Sequence, residues 1–241
     1  MKKYKIEKFF YKNLEVILCI PKKPNENMDW VFKCDYFDEF KGLDEALLDK
    51  GFHIVYMKNI SRWAYNQDII NKGELAFYLN TKFNLNLYFS LIGYGSAGAI
   101  AIKFACLYPE FINSIILDSP VVDFISCPGK LNDKYQLKSW KNEFIKIYPN
   151  ENLNTLETSN VNPKNSLSIL NEFNIPIYIL YSSNDEVVPF EYNGKLIVDA
   201  YDNKDLVKVS KKKDVGHNSF GDDRYIDDII DFLQEDRIVE E

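Results

Sequence analysis

The stretch Leu91-Ile92-Gly93-Tyr94-Gly95-Ser96-Ala97-Gly98-Ala99 decides how this chain is read. It follows an apolar run, Asn86 to Ile92, and opens a run of helical character from Ala97 to Tyr108. A strand, a sharp glycine-lined turn carrying a serine, and then a helix is the layout of a nucleophile elbow. The spelling departs from G-x-S-x-G by one residue. With Ser96 as the nucleophile, position −2 is Tyr94, where a small residue is required. With the glycines kept in frame, the nucleophile slot falls on Gly95, which has no side chain.

Outward from this turn, strand-like and helix-like runs alternate. Phe9–Tyr11 and Glu15–Ile20 read as strands about a turn at Lys12-Asn13, and Trp30–Cys34 as a short apolar strand. Tyr36–Lys50 has helical spacing, with Phe37, Phe40, Leu43, Ala46 and Leu47 on one side, and Gly51 stops it. His53–Met57, Leu87–Ile92, Phe111–Leu117, Ile175–Tyr181 and Leu206–Val209 read as further strands. Asp68–Phe83, Tyr192–Tyr201 and Asp222–Leu233 read as further helices. The alternation predicts an α/β fold, a mostly parallel central sheet with helices on both faces. Residues 119–167 break the rhythm. They are polar, rich in Asn and Lys, and carry a helical piece near Ser139–Ile147, which predicts a small cap inserted into a single domain spanning 1–241.

Composition narrows the function classes. A chain of 241 residues can bury one sizeable core. Its net charge of −7, with scattered Lys and Arg, argues against nucleic acid or an anionic membrane as partner. The tight basic run Lys211-Lys212-Lys213 reads as a solvated turn. Cys19, Cys34, Cys106 and Cys127 show no C-x-x-C spacing, which argues against a zinc site or a disulfide framework and for buried thiols in a reducing compartment. The residues after the charged start, Met1 to Lys8, lack a signal-type apolar region, and no run approaches transmembrane length. A cytoplasmic location is expected.

Two further segments join the elbow. Tyr181-Ser182-Ser183-Asn184-Asp185-Glu186-Val187-Val188-Pro189 follows an apolar strand, and Asp214-Val215-Gly216-His217-Asn218-Ser219 lies before the last helix. The order Ser, Asp, His is that of a nucleophile-first hydrolase triad. A serine hydroxyl attacks well only when an imidazole takes its proton, a task for His217. Asp185 would hold the imidazole tautomer. Structural alternatives stand beside these roles. Asp185 would serve equally as a cap near Pro189, with Asp118 or Asp123 as substitute acids. His53 lies in an apolar strand and reads as a core histidine. Glu186 and Asp214 read as solvated charges. Trp63, Tyr65 and Trp140 would line a pocket, or simply pack.

The chain resembles the α/β-hydrolase superfamily over nearly its whole length. The matching residues are the elbow, Asp185 in its Asp-x-x-Val-Pro setting and His217 in its Gly-His setting. Trp30–Phe40 and Asp118-Ser119-Pro120-Val121-Val122-Asp123 look like bacterial members with a short cap, of the esterase and peptidase-like branch. The resemblance implies ester hydrolysis or acyl transfer by a Ser-His-Asp mechanism on a small-molecule ester or acyl substrate, with no metal or organic cofactor. It also implies two backbone oxyanion donors. One follows the nucleophile, and the other lies in the loop near Lys33, Cys34 and Asp35, where Cys34 is chosen by position.

The same resemblance bears on the register. The elbow helix in the superfamily often ends in a Pro-Glu pair fourteen residues after the nucleophile. Counting back from Pro109-Glu110 gives Gly95, with Gly93 at −2, Ala97 at +2 and Gly98 at +3. Ser96 would then be an oxyanion donor. The turn shifted by one, with Ser96 attacking, stays open. So do a silenced variant and a relative that has lost the nucleophile and now binds or assembles.

Overall fold

A computed structural model describes residues 4–129, 138–213, 216–217 and 223–235. Asp214, Asn218, Ser219, Asp222 and part of the inserted segment, 130–137, lie outside the described residues. Strands β1 (Lys5–Tyr11) and β2 (Leu14–Ile20) form a hairpin. Its turn residues Lys12 and Asn13 both have positive φ, 47° and 64°, the twist that suits a two-residue hairpin. There follow β3 (Trp30–Lys33), α1 (Lys41–Asp49), β4 (His53–Met57), α2 (Asn66–Phe83), β5 (Phe89–Tyr94), α3 (Ser96–Leu107) and β6 (Ile112–Asp118). Then come α4 (Lys138–Ile147), α5 (Leu167–Glu172), β7 (Ile177–Ser182), α6 (Gly194–Ala200), β8 (Val207–Lys212) and α7 (Ile226–Gln234).

The eight strands form one sheet in the order β1-β2-β4-β3-β5-β6-β7-β8. Pairing is parallel from β4 through β8 and antiparallel at β1 and β2. Side-chain alternation divides the core in two. On one face Leu91, Val55, Ile177 and Ile179 pack with α2, α3, α5 and α6. On the other, Ile54, Ile92, Tyr94, Tyr178 and Leu180 pack with α1 and α7. The central strands β3, β5 and β6 are buried on both faces, which explains their near-continuous apolar sequences, whereas the edge strands β1 and β8 are partly exposed. No helix among the described residues is long and apolar enough to cross a membrane.

Three expectations need correction. The helix predicted from Tyr36 starts only at Lys41, because Tyr36 and Phe40 adopt left-handed backbone, with φ of 54° and 64°. The helix predicted over Tyr192–Tyr201 is shortened to α6, after a 3₁₀ turn at Phe190–Tyr192. Lys211-Lys212-Lys213 is no solvated turn, because β8 runs to Lys212 and alternation turns that side chain inward. There it is buried and ion-paired with Asp118.

Lys33 is a second inward-facing lysine, at the end of β3. Its ammonium lies 2.8 Å from the Asp44 carboxylate of α1, both side chains being 1% exposed. It also donates to the carbonyls of Phe37 and Glu39, at 3.2 and 2.7 Å, and so fixes the loop between β3 and α1. Burial pulls the Lys33 pKa below the lysine range and Asp44 opposes that pull. Between β6 and β7 the chain is anchored by two buried asparagines. Asn193 Oδ1 accepts from the Val122 and Asp123 amides, and Asn162 Oδ1 accepts from that of Phe124. Farther along, Trp63 meets Phe124, Trp140 and Phe144 edge-on, with centroids 5.9 to 6.1 Å apart, which ties α4 to the loop after β4.

Removing one partner of the Lys33–Asp44 pair strands a buried charge. Lys33→Met should lose about 3–5 kcal/mol of stability in urea unfolding, and a second change, Asp44→Leu, should recover most of it.

Candidate active site

The site grows from the junction of β5 and α3. β5 is buried along its whole length, and the chain then reverses at Gly95, whose φ and ψ are 48° and −118°. The Gly95 amide donates to the Asp118 carbonyl at 3.0 Å. Its own carbonyl accepts from Gly98 at 3.0 Å and Val121 at 2.8 Å. The turn is tight enough to forbid side chains on either side. A Cβ on Gly93 would lie 2.6 Å from the Ala97 carbonyl oxygen, and one on Gly98 2.5 Å from Pro120 Cβ. Position 95 differs. Among the described residues, a Cβ there would meet His217 alone, Nε2 at 3.4 Å and Cε1 at 3.6 Å.

His217 is brought to that point by the loops after β7 and β8. Asp185 Oδ1 accepts the amides of Val187 and Val188 at 2.9 and 2.8 Å, while Oδ2 is 2.9 Å from His217 Nδ1. Asp185 therefore both closes its own turn and faces the imidazole. Nδ1 is thus the ring nitrogen that meets the carboxylate, and Nε2 is the ring nitrogen nearest to position 95. Asn184 adds a second tie between the loops, its Oδ1 accepting the Gly216 amide at 2.9 Å. Asp118 and Asp123 are engaged elsewhere. Asp118 pairs with Lys212, and Asp123 bonds Asn162 and Lys164.

Ser96 is the first residue of α3 and is buried. Its Oγ lies 2.9 Å from the Tyr36 hydroxyl. As a first-turn residue its amide has no intrahelical acceptor. The choice of Cys34 as an oxyanion donor is corrected. Its amide donates to the Ile92 carbonyl at 2.9 Å, continuing the β3–β5 ladder, and so is not available. Burial also pushes the Cys34 thiol up to about 12. The next residues, Asp35 and Tyr36, leave the ladder. The Tyr36 amide bonds Asp35 Oδ1 at 2.9 Å, which leaves the phenol as the group aimed at the elbow. Burial raises its pKa despite the Ser96 contact, so it stays a neutral O–H donor.

The sequence matches no protein-family profile and no curated protein. Solved structures match it closely in shape. Est1E from Butyrivibrio proteoclasticus superposes with a TM-score of 0.66 at 15% identity, over 95% of this chain and 96% of that one. The acylaminoacyl peptidase of Pyrococcus horikoshii gives 0.65 at 16% identity, over 89% of this chain. This chain spans only 38% of the peptidase. The 2,6-dihydroxy-pseudo-oxynicotine hydrolase gives 0.68 at 15% identity, over 95% and 67% of the two chains. The fold is that of the α/β-hydrolases.

Within that α/β-hydrolase fold, Gly95, Ser96, Asp185 and His217 gather at the carboxyl ends of the strands. His53 is apart from them, buried at the start of β4 with Nδ1 unpartnered, and burial lowers its pKa. Tyr36 and Asn184 were not singled out from sequence. Tyr36 is hidden in an apparently helical run, and Asn184 is one polar residue among several in its turn. Among the described residues no group of three or more His, Cys, Asp or Glu could hold a metal ion.

The two glycines of the turn should respond differently to substitution. Gly93→Ala meets backbone and should cost more than about 3 kcal/mol in urea unfolding. Gly95→Ser meets only His217 and should cost about 1–3 kcal/mol, for its left-handed backbone.

Proposed function

We propose that this protein hydrolyses a small ester or acyl compound with His217 as general base, oriented by Asp185, and with Gly95 in the slot where a nucleophilic side chain would stand. The observation that carries this is the space at Gly95, where a Cβ would meet, among the described residues, only His217, with Nε2 at 3.4 Å. Without a side chain there, the attacking group is a water molecule. Its oxygen adds to the acyl carbon while Nε2 takes one proton. The oxyanion so formed is met by the Ser96 amide and the Tyr36 hydroxyl. Collapse breaks the bond to the leaving alkoxide, which takes the proton back from His217, and Asp185 stays ionised throughout. Acyl transfer follows the same course with an alcohol in place of water. Residues 119–167 would form the cap over this site.

A small-molecule substrate, rather than nucleic acid, fits the net charge of −7. Four free cysteines fit a reducing, cytoplasmic setting. A second reading, a binding or assembly protein without turnover, is favoured by one observation. The serine hydroxyl of the elbow is hydrogen-bonded to Tyr36.

Fluorophosphonate labelling with adduct mapping separates these cases. The native protein should give no adduct at Ser96, and Gly95→Ser should gain one at position 95. An adduct at Ser96 that is lost in His217→Ala would instead make Ser96 the nucleophile. In steady-state assays over short-chain esters, His217→Ala should lower kcat/KM by about 100- to 10,000-fold, without a burst phase in the native protein. Retained ligand binding with no turnover of any ester would select the binding protein.

A further inference from the structure

A polar cleft of about 560 Å³ opens beside the elbow, at the carboxyl ends of β3 and β4 and under α4. Tyr36 lines it, and the hydroxyl of the same tyrosine lies 2.9 Å from Ser96 Oγ, so this one side chain borders both the cleft and the elbow. The volume suits a small organic ligand. Its charge is opposite to that of the protein as a whole. Lys58, Arg62 and Lys146 line it against Asp35 and Glu143, on a chain of net charge −7.

The three cations are not equivalent. Arg62 Nε is paired with Glu143 at 2.9 Å and its guanidinium lies 5.4 Å from the Trp140 ring centroid, so it is already satisfied and held in place. Asp35 turns one oxygen to the Tyr36 amide. Lys58 and Lys146 are exposed and hold no ion pair among the described residues. They approach the cleft from different elements, Lys58 from the end of β4 and Lys146 from the last turn of α4. Two lysines lining one hollow raise the positive potential there, and a concave low-dielectric wall focuses it.

We propose that this cleft receives an anionic group, a carboxylate or phosphate, on the substrate whose acyl carbon is set before His217, with Lys58 and Lys146 as its counter-charges. The inference rests on the reading of Gly95–His217 as the site of acyl chemistry. It narrows the substrate class to acidic esters, such as half-esters of dicarboxylic acids or phosphorylated acyl compounds. Specificity then comes from the charge that a neutral ester cannot supply.

Isothermal titration calorimetry at low salt tests this with three probes: monomethyl glutarate, its neutral counterpart dimethyl glutarate, and methyl phosphate. The half-ester should bind at least tenfold more tightly than the diester, and methyl phosphate shows whether phosphate is accepted in place of carboxylate. Combined Lys58→Glu and Lys146→Glu should remove this preference. Lys195→Glu, on α6 outside the cleft, should leave it intact. Equal binding of half-ester and diester, or an equal loss in Lys195→Glu, would overturn the proposal. Turnover measured on the same probes keeps the two readings apart. Selective binding without hydrolysis retains the anion cleft and removes the hydrolase. Hydrolysis of the diester in preference to the half-ester retains the hydrolase and removes the cleft.

Discussion

The close approach of β5 to the start of α3 is the constraint on which the remaining geometry depends. Gly93 faces the Ala97 carbonyl and Gly98 faces Pro120 at distances where a single methyl would collide. Only that approach lets the chain reverse at Gly95 and begin a helix at once. The turn is then locked from the neighbouring strand. The Gly95 amide reaches the Asp118 carbonyl, and the Gly95 carbonyl takes the Val121 amide. Both partners flank the point where β6 ends and the long excursion to β7 begins. The elbow and the root of that excursion are thus one hydrogen-bonded unit, and position 95 has one direction in which to project.

Buried lysines fasten the loops around this unit. Lys33 ties Asp44 of α1 to the carbonyls of Phe37 and Glu39, and so holds the loop that carries Tyr36. Lys212, at the end of the strand that leads to His217, pairs with Asp118, whose carbonyl receives the Gly95 amide. Lys72 of α2 donates to the Met57 carbonyl at the end of β4 at 3.1 Å. In each case a cation covers the carboxyl end of a strand. Buried pairs of this kind add little net stability over well-packed apolar side chains. Their contribution here is positional: Lys33 holds the loop of Tyr36 to β3, Lys212 joins β8 to β6, and the hydrogen bond of Lys72 holds α2 to the end of β4.

Much of the fold was legible because burial on both faces writes strands as apolar runs, and glycines mark the turn at 93–98. The meeting of Asp185 with His217 follows from chain order in a parallel sheet, since adjacent strands β7 and β8 deliver their following loops to the same edge. Tyr36 was not legible. A left-handed residue that is not glycine carries no local mark, and the apolar spacing from Phe37 onward imitates a helix. Cys34 failed for a different reason. The apolar run Trp30–Cys34 already carried it in the strand, and the β3–β5 ladder takes its amide. Lys212 was readable in principle, because strand alternation separates it from Lys211 and Lys213, yet three consecutive lysines look like solvent-facing charge. The glycine turn by itself left the choice between positions 95 and 96 open, and only the distant Pro109-Glu110 pair bore on it.

The weight of the functional reading falls unequally on the two members of the dyad. Asp185 has a structural occupation whatever the chemistry, since one of its oxygens closes the turn through Val187 and Val188. Its presence alone would say little. His217 is placed differently. It stands at a loop tip after a glycine with φ of 63°, and its side chain is 17% exposed. Its Nδ1 is bound to a carboxylate and its Nε2 faces the one position of the turn that is free to accept an atom. A histidine placed for packing would be enclosed and indifferent to tautomer, as His53 is. His217 instead pairs with Asp185 through Nδ1 and brings Nε2 to 3.4 Å from a Cβ at position 95, the placement on which the proposed role as base rests. In the function proposed above, a glycine at position 95 is compatible with hydrolysis, because water beside His217 takes the part of the missing side chain.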